Sequence, residues 1–111
     1  MSEWRRRLTE TQAEVGAVLE PSQDEHLPAL LLQLGTADLI CAYTPVHDAL
    51  KLVVDGLVVG SIDRTDVVEL RPPFAFRIRS ALAVIEALDP DQPLDLLETL
   101  AASLPPLPFR P

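Results

Sequence analysis

The chain has 111 residues, enough for one domain that buries roughly two-thirds of its unfolded surface without staples. Its 17 acids against 9 bases give a net charge of −8, which argues against nucleic acid and against anionic membrane surfaces as partners. One cysteine excludes an internal disulfide and any zinc site built on cysteine pairs, and fits a reducing cytoplasm.

The hydrophobic fraction is 48%, with twenty leucines but only Trp4, Tyr43, Phe74, Phe76 and Phe109 as aromatics, so the core is expected to be mostly aliphatic. No apolar run approaches the ~20 residues that span a bilayer. The start, Met1 to Arg7, has bases with no apolar region behind them, unlike a signal peptide. Arginine outnumbers lysine eight to one and asparagine is absent, a bias typical of GC-rich bacterial genomes. The span 80–109 holds five acids and no base, a composition that suits solubility or a basic protein partner.

In chain order, Trp4, Leu8, Val15 and Leu19 recur at helical spacing. They predict an amphipathic helix capped by Ser2, stopped at Glu20-Pro21, with Arg5 to Arg7 left to solvent. The capping-box form of residues 22–25 conflicts with Pro28, so the next helix is expected to start near Pro28 and end at Gly35, short and buried. Residues 37–43 read as a strand. Residues 48–54 and 57–62 flank Asp55-Gly56, the pair favoured by a type I′ turn, and predict a hairpin that completes a three-stranded antiparallel meander. A rival reading makes 45–54 a helix.

Asp63 can cap a helix through Leu70 that Arg71-Pro72-Pro73 stops. Phe74, Ile78, Leu82, Ile85 and Leu88 fit a further helix, although residues 74–79 also alternate like a strand. After a loop at 89–93, Leu94, Leu97, Leu100 and Ala101 form the stripe of a last helix. Residues 105–111 form a proline-rich tail following a single domain over 1–104.

Chemistry-bearing constellations are few. Cys41 lies mid-strand as an inert thiol, and Ser61 lacks the glycine pair of a nucleophile elbow. His47 and Asp48 are sequence neighbours, which on a strand point to opposite faces. His26 with Asp24 and Glu25 lacks metal-ligand spacing, and prolines interrupt the acids at Asp89, Asp91 and Asp95. Four scattered glycines make no phosphate loop. These observations predict no catalytic residues, no metal and no cofactor. The tail segment from Pro105 to Arg110 has the P-x-x-P-x-R form read by SH3-type grooves, against a tail whose Phe109 packs back on the body.

Residues 52–70, with their Asp-Gly turn, Val-Gly-Ser-Ile and Arg-x-Asp, resemble the second half of a CBS domain. The resemblance implies a strand pair leading into a helix and an adenine-nucleotide site with Asp66 on the family's acid and Ser61 nearby. Asp63 stands where that family has a hydroxyl.

The expected fold is α+β: an N-terminal helix, a short three-stranded antiparallel meander and two or three C-terminal helices packed on it. Open sheet edges and leucine stripes point to association, most simply a homodimer. The expected function is a non-catalytic, acidic protein-interaction module, a chaperone, adaptor or regulatory subunit, not an enzyme. Small acidic dimers of the type III secretion chaperones share this outline of size, charge and element order. The alternative is a CBS-like small-molecule sensing domain.

Overall fold

A computed structural model describes residues 3–89 and 95–111. Its elements in chain order are α1 (Glu3–Glu10), β1 (Val15–Val18), α2 (Leu27–Leu34), β2 (Leu39–Pro45), β3 (Leu50–Val54), β4 (Leu57–Ile62), β5 (Val68–Arg77), α3 (Ile78–Glu86), α4 (Leu96–Ala101) and β6 (Leu107–Pro108). Two 3-10 turns, Pro21–His26 and Arg64–Asp66, complete the path. The class is mixed α and β, as the sequence predicts.

The sheet is organised differently from the expected meander. β1, β5, β2 and β6 form a four-stranded sheet in that order, while β3 and β4 form a separate two-stranded one. The correction centres on β5. Residues 63–70 are not a helix, because Asp63 caps a single 3-10 turn and Val68 to Arg77 then run extended. Along them Phe74 and Phe76 point to one face and Ala75 to the other, and all three are buried. A strand covered on both faces has no amphipathic signature of its own.

Pro72 and Pro73 do not stop the chain either. They lack the N–H a ladder needs, so the register with β2 shifts there, from Cys41 opposite Phe74 to Ala42 opposite Arg71. The Pro72 carbonyl is taken by the Gln23 side-chain amide at 3.1 Å.

The alternation of burial divides the core into two. Leu39, Cys41, Phe74 and Phe76 face a layer made by Leu8 of α1, Ile78, Ala81 and Ile85 of α3, and Leu96, Leu97 and Leu100 of α4. Ile40 and Ala75 face the opposite layer, Leu30 and Leu34 of α2 with Phe109. Each fully buried leucine or phenylalanine contributes about 1.5–3 kcal/mol of transfer free energy.

The predicted N-terminal helix is also shorter than its pattern. It ends at Glu10, and Val15 belongs to β1, where it pairs with Arg77. Ser2, read as its cap, lies outside the described residues. β1 runs antiparallel to β5, with Gly16 opposite Phe76. A Cβ on Gly16 would stand 2.6 Å from the Phe76 ring, so only glycine fits beneath it.

α2 matches its predicted bounds. Pro28 sits in the first turn, where no amide partner is required, and Gly35 closes the helix at φ 52°. It is not buried throughout, since Leu31 and Leu32 face outward and Leu32 is 82% exposed. The helix predicted from Phe74 to Leu88 starts at Ile78, so the strand-like alternation of residues 74–77 prevails over their helical spacing. Leu94 and the predicted loop before it, apart from Asp89, fall in 90–94, outside the described residues. Asp95 caps α4 by accepting the Glu98 amide at 3.0 Å.

The tail does not hang free. Leu107 and Pro108 pair parallel with Ile40 and Cys41, and the Phe109 amide donates to the Cys41 carbonyl at 2.8 Å.

Candidate functional site

The β3–β4 hairpin is the feature that departs most from an ordinary small domain. Asp55 (φ 52°) and Gly56 (φ 80°) both adopt positive φ, the geometry of a type I′ turn. Leu50–Val54 is therefore a strand, which excludes the helical alternative for residues 45–54. The hairpin continues the β2–β5 ladder beyond the Pro45–Val68 pair, through a Val46 amide bond to the Val67 carbonyl. It then carries Leu52, Val53, Val54, Leu57, Val58, Val59 and Ile62 into solvent, each between 41% and 69% exposed. The radius of gyration is 16.2 Å, against ~13 Å for a compact domain of this size.

A register shift between Leu52 and Val53 sets Val53 opposite Val58 and Val54 opposite Leu57. Side chains directly opposite one another in an antiparallel pair lie on the same face. Both faces of the tip are therefore apolar: Val53 and Val58 on one, Val54 and Leu57 on the other.

At the hairpin root lies a groove of ≈ 290 Å³ lined by Ala49, Leu50, Lys51, Ser61, Ile62, Asp63 and Arg64. Lys51 pairs across the ladder with Ser61, and its Nζ donates to Ser61 Oγ at 2.8 Å. The Arg64 guanidinium donates to the His47 carbonyl and ties the two ends of the hairpin together. The Asp63 carboxylate accepts from both Thr65 Oγ1 (2.7 Å) and Thr65 N (2.9 Å). These two bonds, the hydroxyl's first, hold its pKa below the ordinary carboxylate value. The groove thus has two cations against one carboxylate already occupied by its own turn. The wider grooves beside α4 carry Asp95 and Glu98 and no base.

The residues singled out from sequence are scattered. Ser61 lines the root groove; Asp66 ends the adjacent 3-10 turn, and its side chain lies outside the described residues. No helix follows the hairpin, because residues 68–77 are β5, so the strand-pair-to-helix arrangement of a CBS domain is absent here. Cys41 is fully buried in β2, and burial pushes its thiol up to about 11. His26 lies against Phe109 on the far layer, at 5.8 Å between ring centroids. His47 and Asp48 sit exposed between β2 and β3. Among the described residues no group of three or more His, Cys, Asp or Glu could hold a metal ion. No helix among them is long and apolar enough to cross a membrane.

Lys51 and Arg64 are the residues sequence reading missed. Lys51 is the single lysine of the chain, and the Asp55-Gly56 turn places it within one residue of its true register. Arg64 falls inside the helix that the sequence predicts over 63–70, which hides its place at the groove.

No family model and no curated protein matches the sequence. Solved structures match the fold. One is a 4-diphosphocytidyl-2C-methyl-D-erythritol synthase, at TM-score 0.73 and 19% identity, covering 96% of this chain and 55% of that one. Another is the 2-C-methyl-D-erythritol 4-phosphate cytidylyltransferase of Thermus thermophilus, at TM-score 0.70 and 13% identity, covering 97% and 57%. The Francisella tularensis cytidylyltransferase gives TM-score 0.67 at 11% identity, covering 96% and 56%. The chain therefore spans a little over half the length of these structures. At such identities the likeness establishes that the chain shares the fold of these structures over the matched part. It overturns the expectation of a non-catalytic interaction module that is not an enzyme, because the solved structures matched above are a synthase and two cytidylyltransferases. The CBS-like alternative falls with it.

Proposed function

We propose that this chain belongs to the acceptor side of a cytidylyltransferase-type enzyme, holding a sugar phosphate at the hairpin root. The match over almost the whole chain to enzymes named for 2-C-methyl-D-erythritol 4-phosphate carries the reading. The Lys51–Arg64 groove supports it, since a phosphate monoester needs cationic donors and this groove carries two. Cytidylyl transfer joins an acceptor phosphate oxygen to the α-phosphorus of cytidine triphosphate and releases pyrophosphate. Catalysis of such transfers is mostly positioning and charge stabilisation. Lys51 Nζ and the Arg64 guanidinium would orient the acceptor phosphate, with Ser61 Oγ completing the donor set. The chain has no glycine-rich loop for a triphosphate, so the assignment is to the acceptor and not to the nucleotide.

Calorimetric titration of the chain with 2-C-methyl-D-erythritol 4-phosphate tests this. Binding is expected, weakened about tenfold by Lys51→Ala and by Arg64→Ala, in line with ~1.4 kcal/mol for one charge-assisted hydrogen bond. No heat of binding with the sugar phosphate, or equal affinity in both variants, overturns the assignment.

The exposed hairpin supports one further element, self-association. Seven apolar side chains in solvent on a two-stranded ribbon exceed what a monomeric surface carries singly. A second copy is the partner that closed symmetry supplies most simply.

A further inference from the structure

We propose that the cleft between α2 and β2 is a binding groove for extended peptides of Pro-aromatic type, which the chain's own residues 107–110 close in cis. The contacts have the form of a recognition site. Leu107 and Pro108 add a parallel strand to the edge of β2 opposite Ile40 and Cys41, and cover only two of its seven residues. The Phe109 amide donates to the Cys41 carbonyl at 2.8 Å. The Gln33 side chain brackets the next residue: its Nε2 donates to the Arg110 carbonyl at 2.7 Å, and its Oε1 accepts the Arg110 amide at 2.9 Å.

These bonds read backbone alone and accept any extended chain. Selectivity comes from one side chain. Phe109 is 7% exposed, seated among Leu30, Leu34, Ile40 and Ala75, with His26 edge-on against its ring. Strand addition combined with one anchoring pocket is a recurrent mode of peptide recognition. The prolines at 105, 106 and 108 favour the extended form before docking and lower the entropy lost on binding. Leu107 and Arg110 point outward and impose little on the ligand.

A segment held by two ladder pairs on one edge, the Gln33 side chain and one anchor opens locally more readily than strands paired on both sides. Its place can therefore be taken by the same chemistry in trans.

The test uses the intact chain and a synthetic peptide of residues 104–111. In the Phe109→Ala chain the cis anchor is gone and the pocket remains, so the peptide should bind and shift the amide resonances of Ile40 and Cys41. Binding to the wild-type chain should be at least tenfold weaker, and a peptide with alanine at its phenylalanine position should not bind. No binding to Phe109→Ala, or equal binding of the two peptides, overturns the proposal. A second measurement needs no variant. In the wild-type chain the Phe109 and Arg110 amides should exchange with solvent at least 100-fold faster than those of β5. Exchange only through global unfolding would show the segment to be a fixed strand and end the proposal, even if Phe109→Ala fails to fold.

Discussion

Arg5 Nη2 donates to the Ile85 carbonyl at 2.7 Å and reaches that of Leu88 at 3.3 Å. A residue expected to face solvent thus joins the first helix to the end of α3, eighty residues away. The last carbonyls of a helix have no partner within it, and a guanidinium supplies several donors at once. Arg5→Ala should lower unfolding free energy by about 1–2 kcal/mol in urea titration. The neighbouring Arg6→Ala, at an exposed position, should change it by less than ~0.5 kcal/mol.

Gly16 and Phe76 offer a steric test. A methyl at Gly16 would stand 2.6 Å from Phe76 Cζ and 3.3 Å from Ile78 Cδ1, with Phe76 only 2% exposed and unable to move aside. Gly16→Ala should cost about 1–3 kcal/mol through overpacking. Adding Phe76→Leu should return part of that loss, and a double-mutant cycle showing simple additivity would refute the contact as its cause.

Cys41 gives a pH dependence with a definite sign. Burial raises its pKa from 9.0 to about 11 in the folded state, so folding favours the neutral thiol. The corresponding stability is fully present below pH 9.0 and is lost as pH rises through about 11. Urea midpoints should fall across that alkaline window, and Cys41→Ala should flatten the slope. A thiol reagent at mildly alkaline pH should label the native chain slowly and the denatured chain completely.

The hairpin yields a prediction about assembly. Val53 and Val58 lie directly opposite each other on one face of the tip, 61% and 65% exposed. Replacing both by lysine should convert a dimer to a monomer in sedimentation equilibrium while leaving the circular dichroism unchanged. A wild-type chain that stays monomeric at tens of micromolar would refute the assignment.

Local sequence determined the pieces whose cause is local. The Asp55-Gly56 hairpin, α2 between Pro28 and Gly35, and the Asp95 cap follow from backbone preference and from side chains that satisfy the nearest amides. The mixed α and β class was legible for the same reason. Tertiary structure decided the rest. Residues 63–77 carry a cap signal, two prolines and a helical spacing of apolar residues, yet from Val68 to Arg77 they form an inner strand, because β1 and β2 supply ladders on both sides and helices cover both faces. Val15 to Val18 leave the N-terminal helical pattern because pairing with β5 satisfies their backbone while Gly16 admits the Phe76 ring. Lys51 and Arg64 meet at the hairpin root only because strand register and a 3-10 turn bring them there. Periodicity records what one segment prefers by itself, whereas a strand buried on both faces is stabilised by partners distant in sequence.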